Sequence, residues 1–280
     1  MQAPLGIFGQ SLAIAVFPAL TQFFAQKRMD MFRGQLSSTL RTVIYITVPI
    51  SIVMIMMSPE IVTLLFQYGK FKDADTQAVA PCLQLFGFGV TAWCLHPVLM
   101  RGFFAVQSSV TPIVLGTITT ALFVCLCLGL RMTALGYLAL PLSSSISATL
   151  LAIMLMTAVD KKVEGIGIAG ILSTLLKSLV AGLVMAAVLY AGLKMIPSGS
   201  GLGRNGFALM KLGGVGLVGA WIYFFVTRKL GMKETQYLDR AMARLRNRSA
   251  STKEAGSSPE LPEEPQHSIE AGSDPDLPRD

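Results

Sequence analysis

Four side chains of this 280-residue sequence are placed to do chemistry from within apolar surroundings: Arg41, His96, Arg101 and Lys177. A charge at mid-bilayer depth costs about 2.5–3.5 kcal/mol on insertion scales, so such a group usually faces protein or water. Arg41 opens one apolar segment and Arg101 closes another. Each reads either as a contact for an anionic headgroup in a cavity or as an interfacial anchor. His96, in Cys94-Leu95-His96-Pro97, precedes Arg101 by a turn and a half. It reads as a substrate contact or as a hydrogen-bonded packing histidine. Lys177 lies ten residues into its segment, where a long stem can carry the ammonium part of the way to the surface. Snorkelling and a cavity role both fit it. Glu60, in Ser58-Pro59-Glu60, is expected to cap a helix end.

Catalysis has no comparable candidates. The chain holds two histidines, His96 and His267, and the second lies in a polar tail. No acidic pair falls within an apolar segment, and no HExxH, P-loop or GxSxG pattern occurs. Neither a metal-ligand set nor a cofactor motif is expected. Cys82, Cys94, Cys125 and Cys127 all fall in apolar runs without CxxC spacing, and read as small packing residues.

The elements that must position these groups are long apolar helices. Leu172 to Leu193 carries one charge in 22 residues. About 20 apolar residues match the hydrocarbon thickness of a bilayer at 1.5 Å per helical residue. Seven spans are expected: 3–24, 40–66, 78–104, 111–130, 133–159, 166–195 and 207–226. The fold class is therefore an all-α polytopic membrane protein, with the bundle occupying residues 1–230. Pro18, Pro49, Pro81, Pro97 and Pro141 fall in or near the spans, and each removes a backbone donor.

Sidedness follows from the connections. Lys27, Arg28, Arg33, Arg41, Arg101, Lys161, Lys162 and seven basic residues from Arg228 to Arg248 share one side. Lys70, Lys72, Arg131, Lys194, Arg204 and Lys211 share the other. The richer side is expected to be cytoplasmic, which places the C-terminus inside. Residues 231–248 read as a basic juxtamembrane helix drawn to anionic membrane lipids. Residues 249–280 read as a disordered, acidic, Pro/Ser-rich tail, with an imperfect duplication starting at Glu254 and again at Glu270.

Composition agrees. The chain is 52% hydrophobic and 14% charged, with a mean hydropathy of +0.60. Soluble domains carry about 25% charge. The net charge of +7 comes from loops at a membrane surface, not from a soluble basic face, so no nucleic-acid partner is expected.

The ordered set of local patterns resembles a known family. It begins with Gln2-Ala3-Pro4-Leu5-Gly6-Ile7-Phe8-Gly9 and Ala13-Ile14-Ala15-Val16-Phe17-Pro18. It continues with Phe32-Arg33 to Leu40-Arg41 and Val48-Pro49, then Pro59-Glu60-Ile61-Val62 to Leu65-Phe66-Gln67-Tyr68-Gly69-Lys70-Phe71. It closes with Arg101-Gly102-Phe103-Phe104-Ala105 and Thr111-Pro112. These stretches resemble the MurJ (MviN) family of lipid II flippases, in the MOP exporter superfamily.

The resemblance implies a fourteen-helix fold of two pseudo-symmetric bundles, of which this chain matches helices eight to fourteen. It implies a cytoplasmic (inner) membrane protein of bacteria that carries an undecaprenyl-diphosphate-linked peptidoglycan precursor across by alternating access. Cavity arginines would hold the pyrophosphate, and a missing N-terminal bundle would supply most of them. Spans six and seven would form a groove for the polyprenyl tail, with Gly182, Ala186, Gly213, Gly214, Gly216 and Gly219 permitting close approach. Spans four and five hold no Asp, Asn or Glu, where sodium-coupled members carry ligands. Gln107-Ser108-Ser109 stands where members often carry an acidic–basic pair, and Pro97 falls near a common lysine. Two other readings stay open at this point: a polysaccharide repeat-unit flippase of the same superfamily, and a non-transporting scaffold or truncated gene fragment.

Overall fold

The computed structural model describes residues 4–195, 203–232 and Glu234. Seven helices among them are long and apolar enough to cross a membrane. Span one is Leu5–Ala25, span two Met29–Met56, span three Asp73–Ala105 and span four Val110–Arg131. Span five is Gly136–Lys162, span six Ile168–Met195 and span seven Gly206–Lys229. No strand occurs among the described residues. The basic segment expected over 231–248 and the tail over 249–280 lie outside them, apart from Gly231, Met232 and Glu234.

Spans two and three differ most from expectation. The apolar run 40–66 is two helices, not one. Span two starts eleven residues earlier, at Met29, and ends at Met56, and a separate helix covers Ser58–Phe66. Pro59 explains the break. It has no N–H for the carbonyl of Ile55, so the helical ladder cannot run through it. In the first turn of a new helix the missing donor costs nothing, and that is where Pro59 sits. Glu60 therefore shares the first turn of the short helix, and no side-chain capping bond forms there. Span three starts at Asp73, where the carboxylate of Asp75 accepts the Lys72 N–H at 2.8 Å.

The early start of span two is anchored at its polar end. Arg33 donates through Nε to the carbonyl of Val163 in the loop after span five. It also forms ion pairs with Asp30 at 3.3 Å and Glu164 at 3.4 Å.

Hydrophobic burial cannot drive helix association in lipid, so close packing must. Spans three and five cross where Gly89 meets Ser145. A Cβ on Gly89 would lie 2.9 Å from the Ser145 Cα. The serine hydroxyl uses that proximity to donate to the carbonyl of Leu85 at 2.6 Å. Span one opens with a π-helical turn, Leu5–Gln10, that brings Gly9 against the backbone of Cys94 in span three.

The odd-numbered spans end in one recurring turn. After span one, the Arg28 N–H reaches the Phe23 carbonyl at 2.9 Å, with Lys27 at φ 56°. After span three, Ser108 reaches Phe103 at 3.0 Å around Gln107 at φ 55°. After span five, Gly165 reaches Asp160 at 2.9 Å around Glu164 at φ 58°. After span seven, Met232 reaches Thr227 at 3.3 Å around Gly231 at φ 64°. These are Schellman closures, which satisfy the last carbonyls through one left-handed residue. Three of the four use a residue that pays about 1–2 kcal/mol for that conformation. Replacing exposed Gln107 by Gly should stabilise the bundle by about 0.5–1 kcal/mol, the left-handed penalty less the added chain entropy. Gln107→Val should destabilise it, because a β-branched residue fits φ > 0 worst. Thermal unfolding in detergent would show the two midpoints moving in opposite directions.

Candidate functional site

Pro49 sits inside span two and cannot donate to the carbonyl of Tyr45, four residues earlier. Span seven supplies the replacement. The Tyr223 hydroxyl donates to the Tyr45 carbonyl at 3.0 Å. The Tyr45 hydroxyl in turn shares a 3.3 Å hydrogen bond with Thr227 Oγ1, and the two tyrosine rings lie 5.7 Å apart. Both phenols are buried.

The seam continues toward the end of span seven. Lys177 Nζ, on span six, donates to the carbonyl of Leu230 at 3.2 Å. The lysine thus caps the C-terminus of span seven, where a cation also suits the helix dipole. One turn earlier on span six, Thr174 Oγ1 lies 3.2 Å from Glu234 Oε1 and 3.1 Å from the Gly170 carbonyl. Glu234 is buried, and Met232 beside it is buried too. The chain leaving span seven therefore folds back onto the bundle.

Arg41 completes this seam from span two. Its guanidinium lies directly over Gly170, where any Cβ would collide with it. The Arg41 Nε is buried and meets no acceptor among the described residues. Gly170, Thr174 and Lys177 are spaced i, i+4, i+7 and so share one face of span six.

The four candidates separate into three places. Arg41 and Lys177 border the same seam between spans two, six and seven. Arg101 stands apart on span three, with Cζ 5.1 Å from the ring centre of Phe17 on span one. His96 precedes it by five residues, which turns it about 140° around the helix. It is half-buried and makes no hydrogen bond among the described residues. Sequence reasoning missed Tyr45, Tyr223, Thr227 and Glu234. One usable signal was present: a proline four residues after Tyr45 leaves a carbonyl that needs a donor from elsewhere.

A second feature lies on the other side of span six. An apolar cleft of about 630 Å³ runs between spans two, three, five and six. Ile52, Ile55 and Gly87 lie along it, as do the exposed side chains of Phe88, Ile153 and Leu183. Its hydroxyls are internally satisfied. Ser51 and Thr91 pair at 3.2 Å, Thr149 donates to Ser145 at 2.8 Å and Thr157 to Met154 at 3.0 Å. None of the four candidates lines it, and span seven contributes no residue to its wall.

The small residues expected between spans six and seven divide. Gly219 lies tight against Leu189 and Met185, and Gly182 against Ile52. Gly213 and Gly214 meet nothing within 4 Å, and Gly216 meets only Met57 Sδ at 3.9 Å. The first two occupy a π-helical turn, Lys211–Val215. Gly192, not singled out by the sequence, accommodates Val215 instead.

Seven apolar spans, packed through a polar seam and around an alkyl-lined cleft, define a polytopic helical membrane bundle. Among the described residues there is no cluster of three metal-ligating side chains. The family model described as "Lipid II flippase MurJ" matches residues 1–203, and the chain belongs to that family. It is 26% identical over 258 residues to the probable lipid II flippase MurJ of Rhizobium meliloti, covering 91% of this chain and 48% of the relative. It is 29% identical over 119 residues to that of Buchnera aphidicola subsp. Schizaphis graminum, covering 42% of this chain and 23% of the relative. Among solved structures, the lipid II flippase MurJ in an inward closed conformation shares the fold, with a TM-score of 0.63 at 21% identity. That match covers 82% of this chain and 45% of the other. The chain thus spans at most about half the length of these relatives.

The seam makes a specific claim about stability. Tyr223→Phe should cost about 1–2 kcal/mol, because the Tyr45 carbonyl loses its donor in a medium with no substitute. Pro49→Ala restores an intrahelical donor to that carbonyl. In a double-mutant cycle read by detergent unfolding, Tyr223→Phe should cost less on the Pro49→Ala background than alone.

Proposed function

We propose that the chain forms the second bundle of a flippase that moves a lipid-linked peptidoglycan precursor across the bacterial inner membrane by alternating access. The first bundle and the undecaprenyl-diphosphate-linked precursor are its partners, with bilayer lipids around it. The family match over residues 1–203 carries this reading.

The geometry supports it in two ways. Span one exposes Gln10 and Gln22, whose amides make no hydrogen bond among the described residues, beside Ile7 and Ile14. Unpaired amides are costly against lipid, so this face suits a wet cavity or the other bundle. The exposed threonines of span four contrast with it. Thr117 and Thr120 return their protons to Ile113 and Gly116 at 3.0 and 2.8 Å, as a lipid-facing helix requires.

Arg41 and Arg101 are the groups best placed to hold the diphosphate. Neither uses an N–H on an acceptor among the described residues, and Arg101 engages Phe17 through a cation–π contact. Lys177 is committed to the end of span seven. His96 lies on the same span as Arg101 and serves as a secondary contact. The ends of spans one, five and seven gather Lys27, Arg28, Lys161, Lys162, Arg228 and Lys229, which supports a cytoplasmic C-terminus.

The test uses the chain together with the proposed first bundle. Arg41→Ala and Arg101→Ala should each lower the appearance of precursor on the outer leaflet about tenfold or more. That is the expected loss for one charge-assisted hydrogen bond of about 1.5–3 kcal/mol. The corresponding Lys substitutions should retain part of the rate, which a purely structural role would not produce. Wild-type flipping in the double alanine variant would refute the assignment of these arginines.

A further inference from the structure

We propose that the cleft between spans two, three, five and six binds one phospholipid with a primary ammonium headgroup, its acyl chain in the cleft and its ammonium on the Asp160 carboxylate. The site is independent of the transport reading above.

The cleft is a gap with a floor. Span two forms its base through Ile44, Val48 and Ile52, spans three and five form one wall, and span six forms the other. Because every hydroxyl on its surface is already paired within the protein, it offers water no partners. An open apolar space of about 630 Å³ at bilayer depth is filled by hydrocarbon.

Its dimensions select a chain, not a helix. The lining on span six runs from Ile168 to Ala186, a rise of about 27 Å at 1.5 Å per residue. Spread over that length, 630 Å³ is a mean cross-section of about 23 Å², well short of the ~80 Å² of a helix about 10 Å across. The hydrocarbon core is about 30 Å thick, so an acyl chain entering at one end can lie along the cleft past the bilayer midplane.

A carboxylate marks one end. On span five, Thr149, Ala152, Ile153, Met156 and Thr157 line the cleft. Asp160 follows Met156 by one turn and Ala152 by two, about 20° around the helix from Thr149, so it continues that face. Its Oδ1 accepts the Ile166 N–H at 2.7 Å, two residues before Ile168, where the lining of span six begins. The carboxylate therefore stands between spans five and six at the mouth of the cleft. It is half-buried and pairs with no cation among the described residues.

The nearby cations point elsewhere. Lys161 and Lys162 are turned about 120° and 140° from Thr149, in opposite senses. Arg33 pairs with Asp30 and Glu164. Arg41, three residues before Ile44 on span two, lies over Gly170, which is about 180° around span six from the lining residue Leu179. A carboxylate left without a cation at the end of an alkyl-lined groove is complementary to a lipid ammonium. The same charge repels an anionic headgroup.

Native mass spectrometry of the chain in mild detergent, after exposure to vesicles of equal phosphatidylethanolamine and phosphatidylglycerol, tests this. One phospholipid per chain should survive, with phosphatidylethanolamine preferred about fivefold, the upper end for a partly exposed charge pair. Asp160→Asn keeps an acceptor for the Ile166 N–H and should abolish the preference while a lipid is still retained. Filling the cleft with Ala186→Phe and Thr157→Phe should remove the retained lipid. Equal retention of the two lipids by the wild-type chain, a preference that survives Asp160→Asn, or retention unchanged by cleft filling would each overturn the proposal. A second measurement does not depend on the folding of variants. In phosphatidylethanolamine vesicles, a membrane-permeant carbodiimide should couple the lipid amine to Asp160 in preference to Glu164, although the Glu164 side chain is 87% exposed. Equal or greater coupling at Glu164 would overturn it.

Discussion

The missing N–H of Pro49 constrains much of this bundle. In water, the carbonyl it leaves behind would be hydrated at little cost. In hydrocarbon it must find a donor in protein. Tyr223 is that donor, so span two is complete only when span seven is in place. The remaining contacts along the seam follow from the same register. Once Tyr223 meets Tyr45, Thr227 falls beside the Tyr45 hydroxyl, Leu230 presents its carbonyl to Lys177 and Glu234 reaches Thr174. The polar contacts concentrate at one half of span seven. The other half packs through Gly219 and Gly192 and includes a π turn in which Gly213 and Gly214 touch nothing.

Contacts elsewhere depend on how closely backbones approach. Gly89 against Ser145 and Gly9 against Cys94 show helices approaching until only hydrogen fits between them. Where side chains hold spans five and six apart, the cleft opens. The bundle is therefore dense along one set of helix pairs and open along another. The cationic groups follow the dense side: Arg41 lies over a glycine and Lys177 at a helix end, and neither borders the cleft.

The seven spans were legible because hydropathy over about 20 residues reports bilayer depth directly. Their ends were less so. The run 40–66 is apolar across the Met57 break, so hydropathy alone joined two helices. Pro59 carried the signal of the break, but a proline inside a membrane helix reads equally as a kink. Asp73 and Asp75 lie before the expected span 78–104, whereas they form the first turn of span three, where Asp75 accepts the Lys72 N–H and Asp73 accepts from the Gln67 side-chain amide. Of the candidate site, the residue types were legible and the partners were not. Lys177 reads the same whether it snorkels to lipid or caps a helix 53 residues later in the chain. Glu234 looks like a loop acid until the chain is seen to turn back at Gly231. Hydropathy measures how deep a side chain lies, and partnership depends on contacts between distant segments.

The Tyr45 carbonyl has a further consequence when time is considered. A ribosome making 5–20 residues per second needs about 9–35 s to travel from Pro49 to Tyr223. Through that interval the Tyr45 carbonyl is without the Tyr223 hydroxyl that it meets in the folded bundle. Assembly of this bundle therefore contains a waiting period whose length is written in the sequence separation of two residues. During it the nascent chain presents a distinct surface to any helix, lipid headgroup or insertion factor that can lend a proton donor. The last span closes that interval when it arrives, so the order of synthesis and the order of satisfaction are opposite at the two ends of the chain.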